Sequence, residues 1–131
     1  MTKKLELYKC EACGNIVEVV LSGEGELVCC GEPMKLLEAK MHDEMQEKHV
    51  PVFEKFGDNE IMVRVGSVEH PMEEKHYIQF IEVYSKDEKY IKRKYLHSGE
   101  KPELHLKNLD INSLKAKEYC NIHGLWEADY D

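Results

Sequence analysis

Leu114-Lys-Ala-Lys-Glu-Tyr-Cys120-Asn-Ile-His123-Gly-Leu-Trp126 is the stretch that decides the architecture. Leu114, Ala116, Glu118 and Cys120 occupy alternate positions, so an extended chain puts all four on one face, with Leu125 and Trp126 beyond. Upstream, Ile61, Val63 and Val65 alternate with Met62 and Arg64, and Glu103-Leu-His-Leu-Lys107 alternates cleanly. Ile78-Gln-Phe-Ile-Glu-Val-Tyr84 and Tyr90-Ile-Lys-Arg-Lys-Tyr-Leu96 are further strand candidates. Turn signals at Gly57-Asp-Asn, Ser85-Lys-Asp and Ser98-Gly-Glu-Lys-Pro102 separate these runs. Six or seven short strands of this kind predict an antiparallel β-sandwich of immunoglobulin-like type over residues 50–131. Residues 34–46 are compatible by composition with a short helix or with an ordered linker.

Residues 1–36 differ in character. They are rich in Gly and Cys and hold Cys10, Cys13, Cys29 and Cys30, four of the five cysteines. Asn15-Ile-Val-Glu-Val-Val-Leu-Ser-Gly23 reads as a strand entering a turn. So short a unit buries too little apolar surface to be stable alone and needs a staple. Cys10-Glu-Ala-Cys13 puts two thiolates on one tight turn, and Cys29-Cys30 adds a second pair. Four thiolates suit tetrahedral zinc or iron alike. The adjacent pair is unusual, because neighbouring side chains point differently and should distort the tetrahedron. Two disulfides are the competing reading, disfavoured by the short paired spacing and by the lack of a secretory leader.

Among the 131 residues acidic groups dominate, giving a net charge of −8. That charge argues against general binding to nucleic acid or to an anionic membrane, both of which need a basic face. An anionic substrate is repelled at long range and requires a local positive patch. Met1-Thr-Lys-Lys leads into a mixed polar stretch with no apolar core of a leader, and no apolar run approaches a membrane span. The expectation is a soluble cytoplasmic protein.

Seven histidines remain to be sorted. His49 lies in Glu47-Lys-His-Val-Pro51. His70 and His76 bracket His70-Pro-Met-Glu-Glu-Lys-His76, just before a strong strand. Cys120 and His123 share one short turn, a natural two-point chelate. Reach predicts that His123 binds through Nδ1 and the other histidines through Nε2, with the N–H groups of Ile122 and His123 aimed at the Cys120 sulfur. His42, His97 and His105 lack such context and read as ordinary histidines.

Cys-x-x-Cys followed by Cys-Cys resembles the desulforedoxin domain. Glu-Lys-His-Val-Pro, His-Pro-Met, His-Tyr-Ile and Cys-Asn-Ile-His-Gly resemble, in that order, the superoxide reductase (neelaredoxin) domain. Together they resemble the desulfoferrodoxin family over essentially the whole chain. The resemblance implies a four-cysteine iron domain over residues 1–36, a linker and start of the catalytic domain over 37–49, and the catalytic sandwich over 50–131. It implies two irons per chain. One is held by Cys10, Cys13, Cys29 and Cys30. The other lies in a square plane of His49, His70, His76 and His123, with Cys120 axial below it. It further implies Glu47 as a reversible sixth ligand on the open face, Lys48 as the cation beside it, a rubredoxin-like electron donor and a homodimer.

The donor set suits one-electron reduction of superoxide to hydrogen peroxide. Five protein ligands on an iron that accepts six leave one position open, the mark of a catalytic site. Neutral imidazoles leave a ferrous centre positive, and an axial thiolate pushes electron density toward the opposite position. Lys48 raises the local potential, and fields of this kind raise association rates by about 10–10³-fold. Three other functions compete: a redox-inert zinc module, a sandwich electron carrier of blue-copper type, and superoxide dismutation. Four histidines exceed what blue copper needs, and a thiolate with a Glu-capped ferric state disfavours dismutation.

Overall fold

A computed structural model describes residues 1–41, 46–55, 57, 59–67, 70–107 and 113–130, with the backbone alone at Gln46 and Glu47. Asp58 in the Gly57 turn signal and His42 lie outside the described residues. The chain divides into two compact units, Met1–Glu38 and Ala39–Asp131.

The first unit is built from fragments too short to stand alone. Strands β1 (Leu7–Lys9), β2 (Ile16–Glu18) and β5 (Lys35–Leu36) form a sheet in the order β2-β1-β5. Strands β3 (Val28–Cys29) and β4 (Glu32–Pro33) form a separate hairpin. Its two turn residues, Cys30 and Gly31, have φ of 53° and 75°. Positive φ at both centres is the mark of a type I′ turn, whose twist matches the flanking strands. Only Leu5, Leu7, Cys10 and Val19 supply buried apolar side chains here, while Val20, Leu21 and Val28 stay exposed.

The second unit is the expected sandwich. One sheet has the order β10-β7-β6, from β6 (Pro51–Lys55), β7 (Glu60–Val65) and β10 (Glu103–Lys107). The other has the order β12-β11-β8-β9, from β8 (Ile78–Ser85), β9 (Ile91–Tyr95), β11 (Leu114–Cys120) and β12 (Gly124–Tyr130). All pairings within both sheets are antiparallel. Ile61, Val63, Val65, Leu104 and Leu106 from the first sheet share one core with Ile78, Ile81, Val83, Leu114, Ala116 and Cys120 from the second.

Two features add to the sequence reading. Residues 34–41, in the stretch left open between a short helix and an ordered linker, hold β5 and a bridge from Lys40 to Trp126, and among the described residues the one helical turn, α1, is Gln46–His49. Residues 42–45 of that stretch lie outside the described residues. Along β8, Ile78, Ile81 and Val83 all face the core. A bulge explains the change of phase: Tyr119 pairs with Phe80 but Cys120 pairs with Ile78, leaving Gln79 as the extra residue. Without it, Ile78 and Ile81 would point to opposite faces.

Candidate metal centres

In the first unit, Cys10 and Cys13 lie on a turn closed by Gly14 N–H donating to the Cys10 carbonyl at 2.8 Å. Gly14 adopts φ of 87°, which a glycine takes without penalty. The positive φ at Cys30 resolves the difficulty of the adjacent pair, because it lets the Cys30 side chain swing to the same side as Cys29. All four sulfurs lie within 4.8 Å of one another. Cys13 Sγ is 3.6 Å from Cys29 Sγ, which is 3.9 Å from Cys30 Sγ. A metal–sulfur bond of about 2.3 Å places tetrahedral ligands about 3.8 Å apart, whereas a disulfide needs about 2.05 Å. Both disulfides are thereby overturned: all the cysteines are free thiols. The N–H of Cys13 leads in lowering the Cys10 thiol to about 7. Hydrogen bonding among the sulfurs, first with Cys13, pushes Cys30 up to about 12. A cation displaces those shared protons and satisfies the cluster.

In the second unit, three loops at one end of the sandwich converge. The segment at Lys40 is zipped along β12: Lys40 N–H donates to Leu125 O at 3.0 Å and Glu127 N–H to Lys40 O at 2.9 Å. Helical turn α1 ends in His49 immediately before β6. The loop between β7 and β8 carries His70 and His76, and the turn between β11 and β12 carries Cys120 and His123. The imidazoles close a four-membered cycle. Ring centroids are 4.6 Å apart for His49–His70, 4.9 Å for His70–His76, 5.0 Å for His76–His123 and 4.7 Å for His49–His123. Each pair meets edge-on, at 66° to 82° between planes. Cys120 stands outside this cycle, yet one ligand atom from each of the five residues lies within 4.8 Å of all the others.

The ring nitrogens are arranged for a cation. His70 Nδ1 lies 2.6 Å from the Pro71 carbonyl, to which it donates, leaving Nε2 as the lone pair. That Nε2 is 3.0 Å from His49 Nε2. Burial leads in holding His70 down at about 4, so the imidazole stays neutral and able to ligate. His76 Nε2 is buried without a hydrogen-bond partner among the described residues, an orphan that a metal ion would satisfy. His123 Nδ1 is 3.8 Å from Cys120 Sγ. Burial pushes the Cys120 thiol up, and the N–H groups of His123 and Ile122 pull the other way by donating to the sulfur. The donor set of four imidazoles and one thiol fits iron in character.

Further residues, which the motifs did not single out, frame the site. Trp126 is 1% exposed, stacks on His49 at 4.9 Å and 20°, and donates its Nε1–H to the His123 carbonyl at 3.1 Å. Its place three residues beyond His123 was the available signal. Glu118, on the inward face with Cys120, is fully buried, and neither carboxylate oxygen has a hydrogen-bond partner among the described residues. Burial holds its carboxyl well above the usual range, favouring the neutral acid. Lys48 is exposed while its neighbour His49 is buried. The side chain of Glu47 lies outside the described residues. His97 and His105 sit away from the cycle: the His97 N–H bonds Glu100, and His105 is 3.5 Å from Glu103 on β10.

A cycle of four imidazoles and a thiol, borne on an antiparallel sandwich and accompanied by a separate four-thiolate unit, defines a two-centre non-haem metalloprotein. The family models for desulfoferrodoxin and for the desulfoferrodoxin N-terminal domain match residues 41–129 and 2–37. The chain is 56% identical over 129 residues to the desulfoferrodoxin of Syntrophotalea carbinolica, covering 98% of this chain and 99% of that protein. The superoxide reductase from Treponema pallidum superposes with a TM-score of 0.72 at 27% identity, over 98% of this chain and 99% of that one. A one-iron superoxide reductase from Giardia intestinalis gives a TM-score of 0.56 at 33% identity, over 65% of this chain and 98% of that one. The chain belongs to the desulfoferrodoxin family. Its two ligand groups fit the two iron centres of that family.

Proposed function

We infer that this protein is a superoxide reductase, and the observation that carries the reading is the closed imidazole cycle beside the buried Cys120. His49, His70, His76, His123 and Cys120 would hold iron, which when bound would supply the electron in O2•− + e− + 2H+ → H2O2, with no oxygen released. Pro71 fixes the His70 tautomer, and Trp126 packs His49 in place. Lys48, exposed next to a buried ligand, draws the anion toward the site against the acidic whole and organises water that delivers protons. Glu47 would serve as a reversible further ligand to that iron, helping to expel product and exclude other anions.

Cys10, Cys13, Cys29 and Cys30 hold the first iron in the domain formed by residues 1–36. Residues 37–49 are the linker and start of the catalytic domain, which continues through 50–131. A rubredoxin-like carrier supplies electrons. The chain works as a homodimer, a state supported by the first unit, where Val20, Leu21 and Val28 lie exposed over a very small core. Free thiols serving as ligands suit the reducing cytoplasm, and among the described residues no helix is long and apolar enough to cross a membrane.

Iron analysis with pulse radiolysis tests the function. The expected result is two irons per chain, consumption of superoxide by the pre-reduced protein, and hydrogen peroxide without oxygen. A colourless zinc protein would return the chain to a binding module, and evolved oxygen would make it a dismutase. Analytical ultracentrifugation checks the dimer.

A further inference from the structure

We infer that Asn121 is the positioning residue for His76, through hydrogen bonds that bracket His76 along the chain. Asn121 Oδ1 accepts from the Tyr77 N–H at 3.0 Å, and Asn121 Nδ2 donates to the Lys75 carbonyl at 3.0 Å. The Asn121 N–H donates to the Tyr77 carbonyl at 3.3 Å.

The geometry explains why an amide stands there. Strand β11 pairs with β8 as far as Cys120 opposite Ile78, so the next pair in register is Asn121 and Tyr77. In a regular antiparallel ladder a hydrogen-bonded pair exchanges two N–H···O=C bonds. Here one of the two is made by the backbone. The other would use the Asn121 carbonyl, but the chain turns through residues 121–123 to bring His123 around. The side-chain oxygen takes the carbonyl's place. The ladder thus runs one residue past the strand end while the turn is still made.

His76 depends on this grip more than its fellow ligands do. His49 is held by stacking on Trp126, and His70 by its bond to Pro71. His76 Nε2 has no partner among the described residues. Beyond edge contacts with the His70 and His123 rings, its placement comes from its backbone. The His76 N–H and carbonyl exchange bonds with Glu73 at 3.1 and 2.9 Å. The flanking groups, Lys75 C=O and Tyr77 N–H, go to Asn121. The segment is held along both edges, and the residue holding the second edge is the immediate neighbour of Cys120. One amide couples the His76 loop to the turn that carries two other ligands. Aspartate at this position would keep the bond to Tyr77 but lose the donor and set a carboxylate against the Lys75 carbonyl; alanine would lose both side-chain bonds.

The inference rests on the reading of His76 as an iron ligand. The test uses the two-iron protein with Asn121→Ala and Asn121→Asp, folding being checked by circular dichroism and the four-cysteine absorption serving as an internal standard. Three readouts are taken: release of the second iron into excess chelator, the ferric absorption of that centre, and the hyperfine-shifted imidazole proton signals of the ferrous protein. Asn121→Ala is expected to speed release by about 10-fold, shift the ferric band, and move one imidazole set while the other three hold. Asn121→Asp, nearly equal in size, is expected to fall between that variant and the wild type, and it carries the test should the alanine variant fail to fold. Release and spectra unchanged from the wild type, or all four imidazole sets moving together, would overturn the role. A wild-type protein lacking the second-centre spectrum would overturn the ligand assignment itself.

Discussion

Lys48 and His49 are neighbours in sequence with opposite surroundings, one exposed and one buried against Trp126. That contrast separates their effects. Replacing Lys48 by Ile removes a charge the anion meets and leaves the ligand in place. The second-order reaction of the ferrous protein with superoxide should slow by about 10-fold or more. Because the remaining surface is acidic, added salt should inhibit the variant less than the wild type, or even help it by screening. Pulse radiolysis across ionic strength measures both, and an unchanged rate and salt response would make Lys48 an ordinary solvated cation. Trp126 is the opposite case, a residue acting by contact. Trp126→Phe keeps a ring over His49 but removes the bond to the His123 carbonyl, and should cost about 1 kcal/mol with iron content intact. Trp126→Ala opens a cavity, should cost about 3–5 kcal/mol, and should loosen His49. Denaturant melts with metal analysis distinguish the two.

At the scale of elements, turns and strand edges decide where ligands point. Gly124 closes the Cys120–His123 turn at φ of 85°, and no described residue beyond its chain neighbours comes within 4 Å of where a Cβ would stand. Space is therefore not the obstacle to Gly124→Ala. The cost is the left-handed backbone alone, about 1–2 kcal/mol, read as a lower unfolding midpoint at unchanged m-value. In the four-stranded sheet, Arg93 donates through Nε and Nη2 to Glu82 Oε1 at 3.0 and 2.6 Å, and Glu82 is fully buried. Removing the cation takes two charge-assisted hydrogen bonds from a buried carboxylate. Arg93→Ala should destabilise the sandwich by about 3 kcal/mol, far more than a surface pair would. An equilibrium urea melt that barely moves would show that other groups around Glu82 compensate.

Across the whole molecule, the two units draw on different sources of stability. The sandwich has a continuous apolar core, whereas the first unit closes around its four sulfurs over only a handful of buried side chains. Cys13→Ser should therefore disturb the four-cysteine iron and its visible absorption, while the pre-reduced protein still reduces superoxide. Amide hydrogen exchange in that variant should quicken within residues 1–38 and stay slow in β7, β8 and β11. Loss of the second iron in the same variant would show that the centres depend on one another.

Local chemistry in the sequence was enough for the strands whose two faces meet different surroundings. Leu104 and Leu106 in β10, and Leu114 and Ala116 in β11, alternate because one face is buried and the strand period is two. The cysteine pairs were legible from spacing, since a tight turn brings two thiolates to one ion. Cys120 and His123 were legible as a two-point chelate and His49, His70 and His76 stood out by context, but their union in one site came only through resemblance to known motifs, because three loops distant in sequence supply them. The rest needed the folded chain. The Gln79 bulge re-phases β8 by pairing with β11, which no local alternation reveals. Alternation put Glu118 on the Cys120 face but nothing local marked Glu82, and the sheets bury both carboxyl groups, which residue type alone would leave in water. The side chains of Asn121 and Trp126 find their partners across strands and loops, where hydrogen-bond geometry rather than residue type decides which groups meet. Period and spacing are properties of a short run of chain; burial, register and ligand orientation arise only when distant runs pack together.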